Sequence, residues 1–217
     1  MRVAVTVISV LLGAIVGYFA VPLASVSCRV TIKDRRILYT ACTAVAAGVT
    51  AWGVGARWTL IAWLWIALAG SILSFIDIEH HRLPDRLTLT SYPVVAVALL
   101  VPAFAYGQWG YYGRAWIGAV VMFLGYFVLA LIYPAGMGMG DVKLAGVLGL
   151  VLGYAGWTYV FIGFFAAFFV GAFVGVGLMI FGKAGRKTAI PFGPFMFVGA
   201  VLALFLTPAA VSFYTVT

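Results

Sequence analysis

Charged residues divide this chain into long apolar stretches. Taken between charges, they run over residues 3–27, 37–56, 58–76, 87–106, 115–135, 142–157, 158–181 and 193–213. A bilayer core takes about 20 apolar residues per helix. The pattern therefore predicts an all-α polytopic membrane protein with about eight transmembrane helices. The division between the sixth and seventh is the weakest, because residues 144–182 hold no charge and Gly153-Tyr154-Ala155-Gly156 is the one plausible break. No linker, repeat or low-complexity tract interrupts the chain, so residues 1–217 read as a single transmembrane domain.

Composition agrees with the pattern: 65% of the 217 residues are hydrophobic and 8% are charged, against about 25% charged in a soluble domain. Thirteen basic and five acidic residues leave a net charge of +8. No basic run is interleaved with stacking aromatics, so nucleic acid is not an expected partner. The basic residues instead sort by loop. With the N-terminus outside, the inside loops hold Arg29, Lys33, Arg35, Arg36, Arg82, Arg86, Lys143, Lys183, Arg186 and Lys187, and the outside ones only Arg2, Arg57 and Arg114. This is the positive-inside bias, and it favours anionic lipid at the inner face. It also places every acidic residue on the cytoplasmic side. Residues 1–27 have the general look of a secretory signal. Their apolar run is long for one, and export would carry the bases of 28–36 outside, so cleavage is not expected. Cys28 and Cys42 stand alone and are expected to be free thiols; no zinc framework of about four ligands is present.

Acids at a membrane edge are candidates for function. Four of the five fall in two segments: Asp77, Glu79 and Asp85 between the third and fourth stretches, and Asp141 ahead of the sixth. Asp77 ends one apolar helix and Asp141 starts another, at similar depth on one side. Two carboxylates facing each other across a small cavity do not both ionise easily, so one serves as base and the other as acid, as in aspartic proteases. That chemistry needs no metal and no cofactor. Gly136, Gly138 and Gly140, ahead of Asp141, permit tight turns and close approach of an extended substrate. Against this stands the plain reading of an acid that offsets a helix dipole or is solvated in a loop. For Asp77 and Asp141 the residues alone leave the two readings balanced. Asp85, after Pro84, is equally divided; Glu79, His80 and His81 read more simply as solvated. Lys143 either neutralises a nearby carboxylate or is a topology charge.

The motifs resemble those of the type IV prepilin peptidase family. An Asp followed by Leu-Pro-Asp is matched by Asp77 and Leu83-Pro84-Asp85. G-x-G-D-x-K is matched by Gly138-Met139-Gly140-Asp141-Val142-Lys143, and Pro-Phe-Gly-Pro by Pro191-Phe192-Gly193-Pro194. The resemblance covers roughly residues 58–212 and implies eight helices, with Asp77 and Asp141 as the catalytic pair. Asp85, Gly138, Gly140, Lys143, Pro191 and Gly193 then support the pair or the substrate. Implied substrates are prepilins or pseudopilins, with a short basic leader and an apolar helix, cleaved at the cytoplasmic face of the inner membrane. Many members carry a zinc-binding segment with paired cysteines after the first helix, and often N-methylate the product. The corresponding stretch here, Cys28 to Arg36, lacks the pair, which speaks against zinc and against methyl transfer. The rival class is a proton- or cation-coupled transporter, which predicts repeat symmetry and acids near the bilayer midplane.

Overall fold

The computed structural model describes residues 1–28, 36–134, 136–182 and 190–207, with side chains from 20 to 28 left aside. Arg29, Lys33, Asp34, Arg35, Lys183, Arg186 and Lys187, which the charge-based topology uses, lie outside the described residues, as does the Cys28 side chain. Eight helices form among the described residues, and no strand: α1 (Arg2–Cys28), α2 (Arg36–Val54), α3 (Leu60–His80), α4 (Asp85–Ala105), α5 (Trp109–Ile132), α6 (Met139–Ala155), α7 (Trp157–Ile180) and α8 (Gly193–Leu206). Six of them, α1 to α5 and α7, are long and apolar enough to cross a membrane. The protein is an all-helical, multi-pass membrane protein.

Helix α6 is the hub. Of its 17 residues, 13 are buried, and it touches α3, α4, α5, α7 and α8. At about 1.5 Å per residue it spans ~25 Å, short for a bilayer and suited to a helix walled in by others. Small residues bring α5 against it: a Cβ at Gly149 would lie 2.5 Å from the Gly118 carbonyl oxygen. Without a hydrophobic force between helices in lipid, such close backbone packing is what holds them together. Helix α7 shows the opposite pattern. Phe161, Phe165, Phe169 and Phe173, four residues apart, point outward, as a lipid-facing stripe does.

Most helix ends fall within about three residues of the charge-based boundaries, and four of the differences have a local reason. Helix α3 continues through Asp77 to His80, and stops where His81 turns left-handed at φ 49°. Helix α6 starts at Met139, so Asp141 sits in its first turn. Helix α5 starts at Trp109, because Arg114 does not break it; the guanidinium reaches across to carbonyls of α6. Helix α8 ends at Leu206, since the residue before a proline, here Thr207 before Pro208, is driven to extended backbone. The expected break between α6 and α7 falls at Gly156, whose φ of 153° glycine adopts readily.

Candidate active site

The C-terminal end of α3 and the N-terminal ends of α4, α6 and α8 gather at one end of the bundle around a cavity of about 680 Å³. Its walls come from residues 76–77, 81–85, 134, 136–141 and 190–192, and both Asp77 and Asp141 line it. Asp77 is 5% exposed and Asp141 9%, so both carboxyls are withdrawn from bulk solvent while facing the same space.

Backbone N–H groups fix each carboxyl. Gly193, the first residue of α8, donates its N–H to Asp77 Oδ2 at 2.9 Å. A helix N-terminus has N–H groups without intrahelical partners and a positive dipole end, so it suits a carboxylate. The position is confined: a Cβ at residue 193 would lie 3.0 Å from that same oxygen. Asp141 uses its own helix. It is the third residue of α6, and its Oδ2 accepts from the N–H of Gly138 at 3.2 Å. Asp141 Oδ1 is buried with no protein hydrogen-bond partner. Burial and mutual repulsion oppose ionisation of both acids together, and the helix N-termini favour one negative charge.

The glycine segment acts through packing. A Cβ at Gly140 would lie 2.8 Å from Leu83 Cβ, so the loop between α3 and α4 rests directly on the first turn of α6. Outside this contact, Lys143 Nζ and Asp85 Oδ1 pair at 2.7 Å, with the Asp85 side chain 59% exposed. Asp85 lines the cavity, but it is a solvated mouth residue and not a third member of the buried pair. Lys143 thus has a carboxylate partner. Pro191 lines the wall, and Gly138 combines wall and hydrogen-bond donor.

Three other residues of the motif region part company. His81 is exposed and lines the cavity. His80 closes α3, and its Nδ1 is buried without a protein partner. Glu79, expected to be solvated, accepts a 2.9 Å hydrogen bond from the hydroxyl of buried Tyr39, tying α3 to α2. One residue near the site was missed by sequence reasoning. Tyr126 of α5 is wholly buried against Phe168 and Phe192, and its hydroxyl has no protein partner. A tyrosine inside a 24-residue apolar helix carries no sequence signal to set it apart.

Comparison with known proteins names the class. The model of the Type IV leader peptidase family matches residues 58–176, which include Asp77, Asp85 and Asp141. This chain belongs to that family. It is 31% identical over 183 residues to the prepilin leader peptidase/N-methyltransferase of Stutzerimonas stutzeri, an overlap of 82% of this chain and 61% of the relative. For the protein of that name from Pseudomonas aeruginosa the identity is 31% over 195 residues, covering 88% and 64%; for that from Bacillus subtilis it is 32% over 177 residues, covering 82% and 67%. The chain thus spans about three fifths of the length of the first two. No solved structure matches the chain.

Proposed function

We propose that the chain is an aspartic endopeptidase of the inner membrane, a single transmembrane domain over residues 1–217, that removes the short basic leader of prepilins or pseudopilins at the cytoplasmic face. The observation that carries the reading is the convergence of Asp77 and Asp141 on one buried cavity, each with an oxygen held by a backbone N–H. Family membership and the relatives' names supply the substrate class. The reading takes up the peptidase half of the relatives' double name only.

In the proposed reaction one carboxylate takes a proton from water, and the oxygen attacks the scissile carbonyl carbon. The other aspartate, protonated, hydrogen-bonds the carbonyl oxygen as negative charge develops there. The tetrahedral intermediate collapses, the C–N bond breaks, and the proton reaches the leaving amine. The dyad titrates as a unit, so acid and base are roles of the pair. A substrate with an apolar helix stays in the bilayer while its leader lies in the cavity. The end of the bundle that holds the cavity also carries Arg36, Arg82, Arg86 and Lys143, and the opposite end Arg2, Arg57 and Arg114, which supports a cytoplasmic site. Acids at helix ends speak against the transporter reading, which places them near the midplane.

The test is co-expression with a prepilin from the same genome. Loss of the leader mass from the prepilin is expected. A full-length prepilin beside an enzyme shown to be membrane-inserted contradicts the reading.

A further inference from the structure

Behind the cavity wall, Tyr126 and Asp141 carry complementary unmet needs. The Tyr126 hydroxyl, a donor, is buried without a protein partner. Its ring is clamped by Phe164, Phe168 and Phe192, and Phe192 immediately precedes the glycine that holds Asp77. Asp141 Oδ1, an acceptor, is likewise buried and unpaired, while Oδ2 is held by Gly138. Helices α5 and α6 pack antiparallel, with Gly118 against Gly149 and Arg114 against Gly153; carried on along the same buried faces, that register sets Tyr126 opposite Asp141. No direct hydrogen bond joins the two groups. A polar pair too far apart for direct contact is commonly bridged by one water, provided the site offers it polar partners.

For the fold alone, phenylalanine suits position 126 better. An unpaired buried hydroxyl destabilises, whereas the ring by itself satisfies the aromatic cluster. A buried hydroxyl without a protein partner calls for an explanation, and this one lies on the face of α5 that packs against the helix of the reacting carboxyl.

Resting on the peptidase reading, we propose that Tyr126 is a positioning residue for Asp141: its hydroxyl donates, through one bridging water, to Asp141 Oδ1. With Gly138 on Oδ2, the carboxyl is then held at both oxygens and cannot rotate about its Cβ–Cγ bond. Each oxygen keeps a second lone pair for the reaction. Asp77 is held on one oxygen by Gly193, so the two acids are presented to substrate in a fixed relative orientation, as effective acid–base transfer requires.

Tyr126→Phe, an isosteric change that removes one atom, tests this. Purified wild type and variant are compared on a leader-bearing peptide in liposomes. The expected result is a kcat lowered about tenfold, the scale of one hydrogen bond to a charged group, with KM kept. Infrared spectra recorded during acid titration read the Asp141 carboxyl directly. Its C=O stretching band, recognised by its loss in Asp141→Asn, is expected to shift in Tyr126→Phe. A band that stays in place overturns the pairing, whatever the rate does. A shifted band with wild-type kcat overturns the positioning role. If wild type cleaves nothing, the peptidase reading falls, and the band alone decides the pairing.

Discussion

The two ends of α6 handle polar groups in opposite ways. At the C-terminal end the carbonyls of Leu152, Gly153 and Tyr154 all have donors. Arg114 gives its Nε to the Gly153 carbonyl and Nη2 to that of Tyr154, each at 2.7 Å. Its guanidinium lies 4.9 Å from the Tyr111 ring centre, and the Tyr154 hydroxyl donates to Gln108 Oε1 at 2.9 Å. The last carbonyls of a helix lack intrahelical partners, and in lipid a missing partner is costly; the arginine supplies them. At the N-terminal end, Asp141 Oδ1, on a residue that lines the cavity, and the buried Tyr126 hydroxyl have no protein partner. In the proposed reading, the satisfied end anchors the helix and the other end carries the chemistry, so that stability and function are separated by about the length of one helix.

Substitutions at the two ends sharpen that contrast. The largest effect is expected from Asp77→Asn or Asp141→Asn, which lower leader cleavage at least about a thousandfold while leaving insertion and melting temperature near wild type. Gly193→Ala and Gly140→Ala come next. The first crowds Asp77 Oδ2 and the second drives Leu83 off the first turn of α6. Displacements of this kind cost roughly a hundredfold in rate, read as kcat on a leader-bearing peptide. At the other end, Arg114→Met is expected to lower unfolding stability by about 2 kcal/mol, because two carbonyls lose a charged donor, with kcat unchanged. A stable Arg114→Met protein with lost activity breaks the division of labour. The smallest effect belongs to Asp85→Asn paired with Lys143→Met. Their ion pair is solvent-exposed on the Asp85 side, so the stability loss is expected within ~1 kcal/mol, measured by thermal unfolding in detergent.

Much of the architecture was legible because charge is rare in this chain. Each charged loop interrupts an apolar run, so most of the helices were divided by charge alone; α6 and α7 were divided instead at Gly153-Tyr154-Ala155-Gly156, where no charge falls. Boundaries went astray where a charged residue belongs to a helix. Arg114 reads as a loop charge until its carbonyl partners, 39 and 40 residues away, are known. Asp77 reads as a helix end because an acid is unexpected inside a span, yet its burial against Gly193 lets α3 run on to His80. The acids themselves stood out by scarcity. Their partners did not, since a backbone N–H has no sequence signature. The Gly193 donor reaches Asp77 across 116 positions of chain, and the Tyr39 hydroxyl reaches Glu79 across 40. Tyr126 was invisible for a different reason: a tyrosine in an apolar helix resembles the aromatic belt of any membrane protein.

Asp77 and Asp141 are proposed to act as one catalytic unit. The most direct measurement of this is the initial rate of leader cleavage by purified wild type, Asp77→Asn, Asp141→Asn and the double variant, reconstituted at equal, verified amounts. Residues that act as a unit are non-additive, so the double variant is predicted to lose no more than either single one. Losses that multiply, or cleavage that persists in either single variant, would show that the two residues do not form a dyad.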